Sequence, residues 1–386
     1  VSYHADEANG LRAKHVAVEL GTDNIVELPK VTSTHTLGLK WSPSSDKLSA
    51  TSNNGIVAIW DLTLNGVLTE VSTGIGEQIL WDIAWSPDES FLGVGSEDGK
   101  VYVIDTNKAM VTQTFVEHAN QVTSIDWASN DILISGSWDS TIRVWNAKLG
   151  KQVNKLTGHS SAITSIQWNS KKDQLISSSK DGVIRSWTLQ HSRSSGVLSR
   201  NSRWMWDAIW LSDSNTIIAA GDERHLELVV GSGQPIQLSQ FENRTAITRV
   251  RLDAEGKRFA TASQTGIVKI FDVGTGVEQK NFNLNGAFVT DIAWSPDGNY
   301  LVTTDLGQLS ATKAGTPDTL VWNIQSQEIE ATLSGTSSAS IAWEPKGDLL
   351  AFIGTNENEV HFWNTKKRNS ETISVPLENK IQATAC

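Results

Sequence analysis

Apolar residues along this chain fall in short runs of about six, and each run is cut by Gly, Asp, Asn, Ser or Pro. Residues 122–156 are representative: VTSIDW, DILISGS, the turn WDS, TIRVWNA, the turn KLG, and KQVNKL. Alternation at a period of two, with β-branched and aromatic residues in the runs and turn formers between them, predicts four successive antiparallel strands. A four-stranded sheet of this size has two apolar faces to cover and is marginal alone.

The series recurs along the whole chain. Aligned on Trp-x-Pro and its variants, the first runs end at Trp41, Trp85, Trp127, Trp168, Trp210, Arg251, Trp294 and Trp343, spaced 44, 42, 41, 42, 41, 43 and 49 residues apart. A second set of anchors closes the third run of each copy, at Trp60, Ile104, Trp145, Trp187, Val229, Phe271, Trp322 and Trp363. Such self-similarity is the mark of a repeat architecture. Stacking each small sheet on the next covers both faces, and closing the series into a ring leaves only short, protected edges, which predicts an all-β propeller. In the recurring Trp-Ser-Pro-Asp, the large residue ends the strand, Pro presets φ for the turn, and Asp bonds its own backbone.

These residues resemble the WD40-repeat family over nearly the whole chain. The matches are Trp60-Asp61, the near-forms Trp145-Asn146, Trp322-Asn323, Trp363-Asn364 and Phe271-Asp272, and Gly158-His159 upstream of the fourth copy. The resemblance implies a single WD40-type propeller over residues 1–386, with eight four-stranded blades, or seven plus an appendage. It also implies ring closure by an outer strand from the N-terminal segment 1–30, with Ile25 to Leu28 leading, while residues 371–378 look like another outer strand. The seventh copy carries an insertion at 305–319. Family blades often hold a buried relay of His, Ser or Thr, Asp and Trp. The full set can be written here for two copies, His118, Ser135, Asp139, Trp145 and His159, Ser177, Asp181, Trp187, which should make blades three and four the most rigid.

Composition narrows the partners. The net charge of −11 opposes general attraction to nucleic acid or an anionic membrane, and no apolar run approaches the length of a bilayer span. Charge is uneven: nine acidic and one basic residue lie between Asp61 and Asp105, against nine basic and two acidic between Lys151 and Met205. Lys180, with Lys171, Lys172 and a predicted loop at 191–203, marks the basic side; Glu97 beside Asp98 marks the acidic one. No basic-then-apolar leader opens the sequence and its one cysteine is Cys386, so a reducing compartment, nucleus or cytoplasm, is expected.

No catalytic constellation is expected. The eight histidines lack zinc-ligand spacing, the glycine runs lack the helix that a phosphate loop needs, and His159 with Asp181 fits the relay better than a nucleophilic triad. No cofactor or metal is expected. The family's peptide-binding positions, six before the first-strand anchor and one before the turn Asp, carry over to His35, Trp204 and Phe288 and to Glu97, Trp138, Lys180 and Gln264. Trp81 and Trp206 share a further slot and either line the channel mouth or pack in the core. The function implied is a non-enzymatic scaffold or adaptor, a subunit of a hetero-oligomeric complex that binds other proteins or peptides through these residues. The alternative is a reader of short linear or modified peptides, histone-tail-like or phosphorylated, at the channel mouth.

Overall fold

The computed structural model describes residues 36–371 except 63–66, 73–77, 190–193, 202, 212–215, 223–225, 231–235, 238–245, 285, 309–317, 335–340, 346, 348, 354–359 and 366–368. The described residues form eight four-stranded antiparallel sheets, each built from four consecutive strands. The first strand of each sheet is the innermost: Thr36–Trp41, Leu80–Trp85, Val122–Trp127, Ile163–Asn169, Met205–Trp210, Ile247–Leu252, Ala287–Trp294 and Ile341–Trp343. Each packs against the inner strand of the next sheet, and the eighth packs against the first, so the ring is closed. Among the described residues no helix is long and apolar enough to cross a membrane.

The core lies between blades. Each buried cluster joins one sheet to its neighbour: Val101, Val103 and Phe115 of the second blade meet Val122, Ile125, Trp127 and Leu133 of the third. Leu39, Trp41 and Trp60 of the first meet Ala351 of the eighth, with Leu349 and Phe362 at the margin. The inner-strand tryptophans add a directional link. The indole N–H of Trp85 donates to Lys40 O at 3.1 Å, Trp127 to Ala84 O at 3.0 Å, Trp294 to Arg251 O at 3.0 Å and Trp343 to Ala293 O at 3.3 Å. Trp41 donates to Ala342 O at 3.1 Å, across the closing seam. Each acceptor belongs to the preceding blade, so each large anchor is both an apolar plug and a hydrogen-bond donor to its neighbour.

The Trp-Ser-Pro-Asp turns are built from local hydrogen bonds. In the second blade the buried Ser86 hydroxyl donates to Asp88 Oδ1 at 2.8 Å and accepts from the Phe91 N–H at 3.0 Å, and the Glu89 N–H returns to Ser86 O at 2.9 Å. The seventh blade repeats this with Ser295, Asp297 and Tyr300. The residue after Asp takes positive φ, 62° at Glu89 and 68° at Gly298, which explains why Gly appears in one copy and strains the other only mildly.

Three readings of the sequence change. In the sixth blade Leu252, not Arg251, holds the anchor position: Leu252 pairs with Phe259 as Trp210 pairs with Ile217, and the spacing becomes 42 residues on both sides. Arg251 sits one position earlier and faces the channel. The segment read as a loop at 191–203 contains the fourth blade's outer strand, Ser194–Arg200, where cross-strand pairing overrides a Ser-rich composition. Lys171 and Lys172 lie in the turn at one end of strand Gln174–Ser179 and Lys180 at the other, so they do not form one patch.

The eighth sheet takes its outer strand from Asn369–Glu371. The proposed closing segment, residues 1–30 with Ile25 to Leu28, lies outside the described residues. In the seventh blade the second strand, Tyr300–Gln308, runs into the insertion, and the third begins at Asp318; residues 309–317 lie outside the described residues.

Glycine permits close approach at one blade contact. A Cβ on Gly95, in strand Phe91–Ser96, would stand 2.8 Å from both the Val122 carbonyl oxygen and Val122 Cγ1 of the next blade. A Cβ on Gly196, also in a strand, would meet nothing nearer than Ser186 Oγ at 3.7 Å. Gly95→Ala should therefore destabilise by about 1–3 kcal/mol through overpacking against backbone, whereas Gly196→Ala should be neutral or stabilise by about 0.5–1 kcal/mol. Urea midpoints of the two variants measure the difference, and equal midpoints would contradict it.

Candidate partner-binding rim

One end of the ring carries the turns between second and third strands, and these are pinned to the start of the inner strand. The backbone N–H of Glu97 donates to Ile79 O, Trp138 to Gln121 O, Lys180 to Ala162 O, Asp222 to Trp204 O and Gln264 to Ala246 O, all at 2.9–3.1 Å. This repeated bond projects the side chains of the turn residues onto a common rim.

Beneath two of these turns lie complete relays. His118 Nδ1 is 2.9 Å from Asp139 Oδ2, His118 Nε2 is 2.8 Å from Ser135 Oγ, and the Trp145 indole N–H donates to that hydroxyl at 2.8 Å. His159 stands in the same relation to Asp181 and Ser177, each at 2.8 Å, and Trp187 donates to Ser177 Oγ at 2.8 Å. An indole can only donate and a carboxylate can only accept, so the proton order runs Trp to Ser to His to Asp, with a neutral imidazole carrying its hydrogen on Nδ1. Burial lowers both histidines below their ordinary value, outweighing the attraction of the paired carboxylates. Burial alone would raise Asp181, but the His159 hydrogen bond and charge and the backbone N–H groups of Ser160 and Val183 hold it at about 2; Asp139 is held down in the same way by His118 and Thr141. The seventh blade has a shorter version, Trp322 donating to Thr303 Oγ1 at 3.0 Å.

The rim residues fall in distinct places. Trp138 and Trp204 keep 40% and 44% of their surface exposed. Lys180 and Trp206 are half-buried. The four converge: Lys180 Nζ is 3.8 Å from the Trp138 ring centroid, 4.5 Å from Trp204 and 5.9 Å from Trp206. Trp204 and Trp206 meet edge to face at 5.5 Å, and the Trp206 indole N–H donates to Asp222 Oδ1 at 2.6 Å. Glu97 is exposed, while its neighbour Asp98 is neutralised by Lys100 at 2.6 Å. Phe288 and Gln264 are half-buried and stand apart from the Trp cluster, and Trp81 is exposed. His35 lies outside the described residues.

The rim opens on a channel cavity of about 610 Å³ whose mouth includes Trp81 and Trp206. Its wall is an inter-blade clamp absent from the sequence reading. Asp82 accepts from the Ile125 N–H at 2.9 Å, Asp126 from Trp168 at 2.7 Å, Gln167 from Trp210 at 2.7 Å and Asp207 from Val250 at 3.2 Å, each reaching the next blade. Arg251 bridges Asp207 at 2.7 Å and Asp291 at 3.3 Å. Enclosure by protein pushes Asp126 up to about 6, against the backbone donors that favour its charge, and the nearby Asp82 adds to the rise. The recurrence of a carboxylate or amide one or three residues before the anchor Trp was the available signal. Among the described residues no three His, Cys, Asp or Glu side chains are grouped to hold a metal ion.

Comparison with known proteins agrees with this architecture. The family model for the anaphase-promoting complex subunit 4 WD40 domain matches residues 39–130, and that for the WD domain, G-beta repeat, matches residues 150–188 and 277–308. The chain is similar to the peroxisomal targeting signal 2 receptor of Homo sapiens, 38% identical over 95 residues, covering 23% of this chain and 29% of the relative. It is similar to the transcriptional corepressor LEUNIG_HOMOLOG of Arabidopsis thaliana, 22% identical over 296 residues, covering 75% of this chain and 30% of the relative. The APC/C activator protein CDC20 of Saccharomyces cerevisiae is 24% identical over 150 residues, covering 38% of this chain and 24% of that protein. In each case the match spans less than a third of the relative's own length. The crystal structure of the computationally designed Ika8 protein shares the fold with a TM-score of 0.71 at 18% identity, covering 88% of this chain and 98% of that one. The matched repeats at residues 39–130, 150–188 and 277–308, together with the ring of four-stranded sheets, support a WD40-type β-propeller.

The relays set a pH dependence. Each depressed Asp contributes stability that is present above its unfolded value near 3.8 and lost as pH falls through its folded value, about 2 for Asp181. Each depressed His contributes stability that is present above about 6.5 and lost as pH falls through its lowered folded value. The relays' contribution to the melting temperature should therefore fall on acidification from pH 7, opposed between about pH 6 and pH 4 by Asp126 and Asp82, whose burial favours their protonated forms. The His118→Asn, His159→Asn double variant should melt lower at pH 7 but lose less between pH 7 and pH 4. A parallel displacement of the two curves would show that the histidines do not contribute to the slope.

Proposed function

We propose that this chain is an interaction scaffold that holds other proteins on the rim of its propeller, as a subunit of a larger nuclear or cytosolic assembly. The observation that carries the reading is the convergence of three tryptophans on Lys180, two of them exposed, where the turns are pinned to the inner strands of the ring. Large aromatics with few rotatable bonds bury much area at low entropic cost, and interface energy concentrates on such anchors. Loops on a rigid scaffold supply the geometry without ordering on contact. The family relatives support it in kind: a targeting-signal receptor, a corepressor and an APC/C activator are named for what they do with other molecules.

A second reading, recognition of short linear or modified peptides at the channel mouth, is favoured by Trp81 and Trp206 lining that cavity. The two differ in footprint. A folded partner should engage Trp138 and Trp204 across the rim, whereas a peptide in the mouth should depend on Trp81.

Truncation separates them. In affinity purification from native lysate, Trp138→Ala and Trp204→Ala should each reduce a co-purifying partner by about tenfold or more, the loss typical of an interface anchor, with Trp81→Ala near wild type. Unchanged recovery with both rim variants, at matched melting temperatures, would remove the rim from the function.

A further inference from the structure

Among the described residues the Lys180 ammonium is held by ring faces alone. Among the described residues no carboxylate pairs with it: Asp222 accepts from the Trp206 indole, and Asp139 and Asp181 turn inward to His118 and His159. Burial lowers Lys180 from its ordinary value, with no carboxylate opposing the shift. Cation–π attraction at a partly exposed site is weaker than a charge-assisted hydrogen bond to a carboxylate, so the charge is positioned but incompletely satisfied.

That occupancy decides what the cluster can accept. An empty aromatic cage attracts ammonium groups, but here the faces are already covered by a resident cation that repels a second one. A carboxylate would complete the ammonium's bonding without displacing it. The exposed parts of Trp138 and Trp204 flank that position, offering surface for an apolar neighbour. Arg200 ends the outer strand of the same blade and Arg203 lies just before Trp204; both are exposed and add positive potential.

We propose that Trp138, Lys180 and Trp204 form a docking site for an acidic linear segment of a partner protein. One Asp or Glu carboxylate pairs with Lys180 Nζ, and an adjacent bulky apolar residue lies on the two indoles. This rests on the rim being the binding surface.

The test titrates the 386-residue protein, by tryptophan fluorescence and calorimetry, with three blocked peptides. One has the sequence Asp-Glu-Leu-Phe-Glu, the second is its amide counterpart Asn-Gln-Leu-Phe-Gln, and the third carries trimethyllysine between apolar residues. The acidic peptide should bind and quench, weakening as salt is raised, while the amide peptide binds about tenfold or more weakly. Lys180→Gln should lose about tenfold and Lys180→Arg, which keeps the charge, much less. Matched melting curves establish that each variant is folded. The inference is overturned if the acidic peptide fails to bind, if Lys180→Gln binds it as tightly as wild type, or if the trimethyllysine peptide binds wild type more tightly than the acidic one. Partner recovery that depends on Trp138 and Trp204 but not on Lys180 would overturn the acidic-ligand inference and leave the rim reading standing. Indifference to the tryptophans would remove the rim reading itself.

Discussion

The burial of each sheet's two faces against its neighbours is the constraint from which the other features follow. Among the described residues no blade has a core of its own, since the buried clusters join consecutive sheets and one of them joins the eighth to the first. A series of such sheets is stable only when its ends meet, because an open end would leave one apolar face in water. The seam is accordingly made with the same parts as the other interfaces: an anchor tryptophan, Trp41, packed and hydrogen-bonded to the preceding blade across 301 residues of sequence.

The period, the strands and the two relays were legible because each rests on local chemistry repeated at fixed spacing. A strand-ending Trp, a Pro-Asp turn and a His some twenty residues before its Asp can be written down without knowing where the chain goes. The failures have physical causes. Arg251 occupied the aligned column because the true anchor, Leu252, lacks the indole that marks the others; register, visible only through pairing with Phe259, settles it. The serine-rich 194–200 segment has little intrinsic strand preference and is a strand because Val183–Trp187 offers it an edge. Lys171, Lys172 and Lys180 looked like one basic patch because distance in sequence ignores the length of the strand between them.

The clamp along the channel was missed for another reason: its signal lies only in a recurrence before the anchors, and no single residue of it stands out. Asp82, Asp126, Gln167 and Asp207 act on the backbone of the next blade, some forty residues away, and a carboxylate that accepts a neighbour's N–H has the same sequence signature as one that faces water. Asp126, Gln167 and Asp207 stand where the indole link is missing, and Asp82 adds to the one that Trp127 makes to Ala84. Trp168 and Trp210 make no indole hydrogen bond to the preceding blade among the described residues, and there the Asp126 and Gln167 side chains tie the backbones together instead. The ring thus joins inner strands by two means, singly at some junctions and together between blades two and three.

The relays and the rim cluster are one construction. Trp138 immediately precedes Asp139, and Lys180 immediately precedes Asp181, so the residues presented to solvent are chain neighbours of the carboxylates fixed from below. The two blades with complete relays are also the two whose turns supply Trp138 and Lys180. Fixing Asp139 through His118, Thr141 and the Ala119 N–H fixes the turn backbone, and with it the point from which the indole projects. An anchor already held in place gives up little conformational freedom when a partner covers it, which turns a larger share of its buried area into affinity. Hydrogen bonds elsewhere in the ring stabilise the fold as well; those of this pair of blades also set the turns that carry Trp138 and Lys180, while Trp206 of the fifth blade is held by Asp222.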